Sequence, residues 1–326
     1  MLKLGVIGTS WICRQFIDAA LETGKYELKA VYSRSIQKGQ EFVADFSDVQ
    51  IFDGLTEFVN NIEIDLVYIA SPNSLHYQQA KAAIEAGKNV IVEKPAFSNP
   101  TEFEEIFELA AKKKLFVLEA ARHIHDTAFA VIKSFLSDKT ILSANLTYAK
   151  YSSKMAALLA GELPNKWNPK FSGGILADLG VYLIYWTIAQ FGKAESVDYQ
   201  AKLLSSGVDV SGHGILHYED FDVSFFNAGN LTSYLASEIY TDEGTLVLDS
   251  VAGTGKAAFV KINGETEEFE IQTAENPLFD EADAFADILE NANQEKYAVL
   301  QALAQQVNQT LFSMRQKARI VFEADK

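Results

Sequence analysis

Three stretches carry residue types whose spacing could do chemistry. Gly8-Thr9-Ser10-Trp11-Ile12-Cys13 ends an apolar run and opens an amphipathic one. This is the place of a G-x-G-x-x-G turn, with Ser10 and Cys13 standing for the second and third glycines. Gly8 permits the tight turn. Ser10 is small enough for backbone to approach a pyrophosphate, and its hydroxyl can bond a phosphate. Free N–H groups at a helix start attract the same anion. Gly8, Thr9, Ser10, Trp11 and Ile12 are therefore expected to bind a dinucleotide. The second stretch is Tyr32-Ser33-Arg34-Ser35. An NAD-binding unit usually places Asp or Glu there for the ribose hydroxyls. Ser33 and Arg34 suit a 2′-phosphate instead, so NADP is expected in preference to NAD. The third is Glu93-Lys94-Pro95, directly after an apolar run. Ligands of an open parallel sheet bind beyond the carboxyl ends of its strands, so Lys94 points to the cofactor crevice. Ser71-Pro72-Asn73-Ser74-Leu75-His76 lies on the same edge.

The elements that position these residues can be read from hydrophobic periodicity. Short apolar runs at 4–7, 28–32, 65–70, 89–92 and 115–118 alternate with helical patterns at 10–23, 37–46, 74–85 and 101–112. Continuous Val/Ile/Leu runs between amphipathic helices are what a parallel sheet covered on both faces requires. A doubly wound α/β domain is predicted. After about residue 125 the pattern changes. Phe221–Phe225 and Thr245–Asp249 alternate apolar with polar residues, and Asp242-Glu243-Gly244 punctuates them, as in an antiparallel sheet. Helices are expected at 126–136, 176–191, 279–291 and 297–317. Leu303, Val307, Leu311 and Met314 form a stripe suited to core packing. At ~150 residues per domain, 326 residues suggest two domains, set here at 1–122 and 123–326.

Four blocks together resemble the glucose-fructose oxidoreductase, inositol dehydrogenase and MocA (Gfo/Idh/MocA) oxidoreductases. They are Gly5-Val6-Ile7-Gly8-Thr9-Ser10-Trp11-Ile12, Ala70 to His76, Ala86 to Pro95, and Gly173-Gly174-Ile175-Leu176-Ala177-Asp178-Leu179-Gly180-Val181-Tyr182. Their order and spacing match across most of the chain. The resemblance implies an N-terminal Rossmann domain and a C-terminal α/β domain. The latter has a large, open, mostly antiparallel sheet that commonly forms the oligomer interface. It also implies NAD(P)-dependent oxidation or reduction of a sugar, polyol or related cyclic alcohol or ketone. The family's catalytic lysine falls on Lys94. Its D-x-G-x-H motif falls on Asp178 to Tyr182, with Tyr182 in place of histidine, as in the glucose-fructose oxidoreductase and dimeric dihydrodiol dehydrogenase branches. A homodimer or homotetramer through the C-terminal sheet is expected.

Hydride transfer at an alcohol carbon requires a proton to leave or join the oxygen. A positioned acid/base group typically gains ~100- to 10,000-fold by moving it. Lys94 is the expected acid/base, Tyr182 its assistant and Asp178 the positioning group. On an α-helix, Asp178 and Tyr182 would share one face. Glu93 and Arg122 border the same crevice. His76 opens a helix at its edge, and the resemblance places Trp167 near the cofactor as a lid residue. Gly8, Thr9, Ser10, Trp11, Ile12, Ser33, Arg34, Ser71, Pro72, Asn73, His76, Glu93, Lys94, Arg122 and Trp167 make up the expected cofactor set. His123 and His125 would share one face of a strand, but no third metal ligand is evident and no metal is expected. Cys13 suits close helix–sheet packing better than thiol chemistry.

Composition narrows the classes. A single cysteine excludes a disulfide framework and any multi-cysteine zinc site. A net charge of -16 disfavours a nucleic-acid surface. Apolar runs fall below the ~20 residues that span a bilayer, and no signal-peptide pattern opens the chain. A cytoplasmic protein is expected. The charge is uneven: residues 1–40 hold six Lys/Arg against three Asp/Glu, and residues 263–295 hold eleven acids with no Lys or Arg. A phosphate-bearing cofactor is therefore compatible with the acidic total. The competing readings are a dihydrodiol or deoxysugar dehydrogenase, a non-catalytic dinucleotide-binding regulator, and a purely structural interaction protein.

Overall fold

A computed structural model describes residues 1–326. The chain forms two compact units. The first comprises Met1–Arg122 and Ala274–Gln305, the second His123–Thr273 and Gln306–Lys326. A single cut after residue 122 misassigns residues 274–305, which pack with the first unit.

The first unit is built on six parallel strands: β1 Leu2–Ile7, β2 Tyr26–Tyr32, β3 Gln50–Phe52, β4 Leu66–Ile69, β5 Asn89–Glu93 and β6 Val117–Ala120. Their order is β3-β2-β1-β4-β5-β6. The reversal at β1 opens a crevice at the carboxyl ends of β1 and β4. All four β4 side chains are buried, as the unbroken apolar run requires. Helix α1, Trp11–Glu22, buries Cys13, Phe16, Ile17, Ala19 and Ala20. It is followed by α2 Ile36–Phe42, α3 Leu55–Val59, α4 His76–Glu85 and α5 Pro100–Lys113. β3 and α3 were beyond periodicity, being three and five residues long. β6 starts two residues later than the apolar pattern suggests. Phe116 instead packs edge-on against Tyr297, centroids 4.9 Å apart.

The second unit contains α6 Thr127–Leu136, β7 Ile141–Ala149, α7 Met155–Leu159, α8 Val181–Phe191 and β8 Ser196–Leu203 to β14 Thr266–Phe269. Between the last two lie β9 Asp209–His217, β10 Asp222–Ala228, β11 Ser237–Thr241, β12 Gly244–Leu248 and β13 Ala257–Lys261. The eight strands run β14-β13-β12-β11-β7-β10-β9-β8. Only β7 and β10 are parallel neighbours. The alternation read at 221–225 and 245–249 falls on β10 and β12, whose residues alternate buried and partly open. Residues 169–191 are long and apolar enough to cross a membrane by length and composition, against the expectation from the sequence. Their most apolar window is 83% buried inside the protein, as in a core helix. Two further helices, α9 Phe279–Glu290 and α10 Gln294–Lys317, follow. α9 returns to the first unit, where the Tyr26 hydroxyl donates to the Ala282 carbonyl at 2.7 Å.

Candidate active site

In the first unit a cleft of about 700 Å³ opens at the carboxyl ends of β1 and β2. Gly8, Thr9, Ser33, Arg34 and Ser71 line it, together with Ser35, Lys38 and Gln79. Gly8 has φ +119°, and a Cβ there would stand 3.0 Å from the Ala70 carbonyl oxygen and 2.9 Å from Cys13 Sγ. Only glycine fits this turn. Ser10 is the N-cap of α1 in extended conformation, with its Oγ 3.3 Å from Cys13 Sγ. Burial pushes the Cys13 thiol up to about 11, so it is inert packing. Trp11 is 75% exposed and Ile12 half-buried at the start of the helix.

The positive charge near this cleft is selective. Arg14 is bound to Asp18 and Asp45, Lys25 to Asp283 and Lys29 to Glu27. Arg34 and Lys38 line the cleft and are exposed. The sequence reading missed Lys38, although it lies only four residues beyond Arg34, in the first turn of α2. Ser71 Oγ donates to Gln79 Oε1 at 2.6 Å, which ties the β4–α4 turn to the cleft wall.

Lys94 follows β5, and the Lys94–Pro95 peptide is cis. Below it, the buried Tyr68 hydroxyl donates to Glu93 Oε1 at 2.7 Å. Desolvation pushes the Glu93 carboxyl above the usual range, against the opposing pull of Lys94, the Tyr68 bond and Arg122. The Ala96 N–H donates to Glu119 Oε1 at 3.0 Å. His76 is fully buried, so it supports the site from beneath rather than facing the cleft. Pro72 and Asn73 are half-buried in the turn before it.

Asp178, Tyr182 and Trp167 belong to the second unit. The expected helix from 176 to 191 is two pieces: a π-helical turn, Leu176–Gly180, and then α8. The Val181 N–H reaches back to the Leu176 carbonyl, five residues earlier. Widened turns of this kind are frequent at functional sites. Asp209 anchors the entry to this turn. It is buried and accepts from the Leu176 N–H at 2.8 Å and the Tyr199 hydroxyl at 2.6 Å. Burial pushes its carboxyl up from the ordinary range.

Asp178 forms an ion pair with Lys166, whose ammonium also lies 5.2 Å from the centre of the Trp167 ring. Trp167 is fully buried and is a core anchor, not a lid. Tyr182 is half-buried among aromatic rings. His123 lies 4.8 Å from it and Tyr148 5.5 Å, centroid to centroid. His123 Nε2 donates to the Tyr182 carbonyl at 3.0 Å. Arg122–Ile124 form a short 3-10 turn, so His123 and His125 do not share a strand face. No cluster of three or more metal-ligating side chains is present. Lys166 and Tyr148 carried no motif signal; only folding brings them to Asp178 and Tyr182.

Comparison with known proteins identifies the chain's relatives. Residues 2–120 match the oxidoreductase family with an NAD-binding Rossmann fold, and residues 140–247 match the GFO/IDH/MocA C-terminal domain. The Escherichia coli oxidoreductase YgjR is 35% identical over 100% of this chain and 99% of its own. The Bacillus subtilis scyllo-inositol 2-dehydrogenase (NADP(+)) IolU is 34% identical over 89% of this chain and 88% of its own. The crystal structure of KijD10 from Actinomadura kijaniata, at 20% identity, superposes with a TM-score of 0.87 over 98% of this chain and 99% of that one. The chain belongs to the Gfo/Idh/MocA family of oxidoreductases.

Proposed function

We propose that the protein is an NADP-dependent oxidoreductase acting on a hydroxyl or carbonyl carbon of a polyol or sugar-like ring. The observation that carries the reading is the cleft of the first unit. A glycine-only turn at a helix start sits beside Ser33, Arg34 and Lys38. No Asp or Glu lines this cleft, which is where a group carrying a 2′-phosphate needs cations rather than an acid. The residues present therefore fit NADP. Gly8, Thr9 and Ser10 would hold the pyrophosphate, and Ser33, Arg34 and Lys38 the 2′-phosphate. When bound, the nicotinamide supplies or accepts the hydride.

The chain's own residues handle the proton. In the first unit, Lys94 Nζ gives or takes it at the substrate oxygen. In the second unit, Tyr182 and Asp178 are the further candidates for bonding and orienting the substrate's polar groups. Glu93 and Arg122 shape the wall behind Lys94. The substrate class rests on the similarity to the scyllo-inositol dehydrogenase IolU, so cyclitols are the first compounds to try. The reading includes a cytoplasmic location, in keeping with the single buried, unpaired cysteine. It includes a homodimer or homotetramer through the eight-stranded sheet, where Leu142, Leu203 and Val260 are exposed.

The test is turnover with NADP(H) and a panel of cyclitols, sugars and diols, comparing the wild type with Lys94→Ala. Turnover lost in the variant with cofactor affinity retained supports the reading. Near-wild-type turnover removes Lys94 from its role. Cofactor binding without turnover across the panel would assign the protein to the regulators instead.

A further inference from the structure

His76 is a buried titratable group that the proton chemistry above does not use. It is the first residue of α4, and its ring spans two loops of the site. Nδ1 lies 3.2 Å from the Pro95 carbonyl oxygen and 3.2 Å from that of Ala96. Nε2 lies 2.8 Å from the Ser71 carbonyl oxygen. Every partner on both ring nitrogens is a carbonyl, which can only accept. A neutral imidazole has one N–H, so one nitrogen must then point a lone pair at an oxygen. Only the imidazolium donates at both ends.

One end of this ring touches the turn that carries Ser71, in the wall of the nucleotide cleft. The other touches the two residues that follow Lys94. We propose that His76 is a positioning residue for Lys94: a one-proton clamp that holds either the Ser71 turn or the Lys94–Pro95–Ala96 loop when neutral, and both when protonated. The inference rests on the reading of Lys94 as the acid/base.

The surroundings set the balance of the clamp. The charged groups around it are Lys94 on the loop itself, Glu93 at the end of β5, Glu119 on β6, which receives the Ala96 N–H, and Arg122 after β6. On the outer side of α4, Lys81 is paired with Glu105 of α5, and Glu102 of α5 accepts the Ser98 N–H at 2.9 Å. Burial and the Lys94 charge disfavour the imidazolium, and the three carbonyls favour it. The net direction is downward from the ordinary histidine value, so the ring favours its neutral form more than a free imidazole does.

The experiment uses the NADP-saturated protein. Long-range proton–nitrogen NMR on 15N-histidine-labelled wild type reads which ring nitrogen of His76 carries the proton and where the second arrives. The kcat–pH profile is measured for the wild type, His76→Gln, Lys94→Ala and the double variant. The expected result is a His76 ionisation below the ordinary histidine value that recurs in the wild-type kcat profile and is absent from His76→Gln. His76→Gln should lower kcat about tenfold or more, with cofactor affinity changed far less. That loss should vanish in the Lys94→Ala background. A His76→Gln kcat within about twofold of wild type, an unchanged ionisation, or the same loss in both backgrounds overturns the clamp. If His76→Gln does not fold, a wild-type ring that titrates at the ordinary value overturns it as well. An active Lys94→Ala overturns the acid/base reading itself. An inactive Lys94→Ala with a fully active His76→Gln overturns only the clamp.

Discussion

The ammonium of Lys166 is paired with the carboxylate of Asp178, twelve residues apart in sequence and both in the second unit. The Gly174 N–H donates to the Lys166 carbonyl at 2.7 Å, so the glycine pair that opens the motif also fixes the lysine backbone. The motif aspartate is therefore held as one half of an ion pair, not as an isolated base.

Replacing Lys166 by Met removes the positive partner and keeps the aliphatic stem over Trp167. Losing a neighbouring cation disfavours the ionised carboxylate, so the acid limb of the kcat–pH profile should move to higher pH. Lys166→Arg should restore the wild-type profile. A Lys166→Met profile that superposes on wild type would show that the pair is only structural.

On the proposed reading, cofactor choice depends on Arg34 and its neighbours in the cleft. Arg34→Ala should weaken NADP binding about tenfold to a hundredfold and leave NAD binding nearly unchanged. Ser33→Asp should push preference further toward NAD, because a carboxylate repels the 2′-phosphate and accepts ribose hydroxyls. Dissociation constants for both cofactors, measured by fluorescence titration, check both expectations. Equal loss for the two cofactors would place Arg34 outside the 2′-phosphate site.

The Asp209 carboxylate supports the π-helical turn and leaves no room at Gly174. A Cβ on Gly174 would stand 2.3 Å from Asp209 Oδ1, and φ there is +124°. Gly174→Ala should destabilise by about 1–3 kcal/mol from the backbone conformation alone, and more from the clash. Asp209→Ala strands the buried Leu176 N–H, leaves the Tyr199 hydroxyl with Asn227 alone, and should cost about 1–3 kcal/mol. Asp209→Asn keeps an accepting oxygen and should fall well short of that. Chemical denaturation of the three variants gives the order.

His217 links three strands at the edge of the large sheet. Its Nδ1 is 2.7 Å from Asp222 Oδ1 on β10 and its Nε2 3.2 Å from Asp198 Oδ2 on β8. Lys317 lies on the other oxygen of Asp198, 3.3 Å away. The Asp222 and Asp198 hydrogen bonds raise the His217 ionisation above the ordinary value, against desolvation. A raised folded value means that the stabilisation is fully present below the unfolded value, near pH 6.5, and is lost as pH rises through the folded one. His217→Gln should therefore lower Tm more at pH 6 than at pH 9, by a modest amount because the cluster is partly open to solvent. A Tm difference independent of pH contradicts this.

The sequence made the first sheet legible because its central strands carry short apolar runs, such as Leu66–Ile69 and Val90–Val92, between helical patterns. Gly8 is the clearest case: its position in the motif, its positive φ and the contact that forbids a Cβ all agree. Lys38 was readable but missed, since it required seeing that the first turn of α2 carries Lys38 to the cleft that Arg34 lines from the loop before it. Lys166, Tyr148 and Asp209 had no local signal. Each meets its partner through tertiary packing, and no periodicity encodes that. The π-helical turn was hidden for a similar reason: Leu176–Phe191 satisfies a helical pattern, and the bond from its first N–H to Asp209 comes from a distant part of the chain. His76 was read as a cleft residue from its place beside the turn. Its complete burial is a property of the two loops folded over it.

Residues 274–305 have a consequence for how the molecule is made. They supply the first unit with the Ala282 carbonyl that Tyr26 bonds, the Asn276 amide that reaches the Gln15 carbonyl at 2.9 Å, and the Tyr297 ring against Phe116. On the ribosome these residues emerge only after the whole of 123–273. The nucleotide-binding unit is begun first and completed nearly last. A fragment ending at residue 122 would expose the apolar faces that α9 and the start of α10 cover.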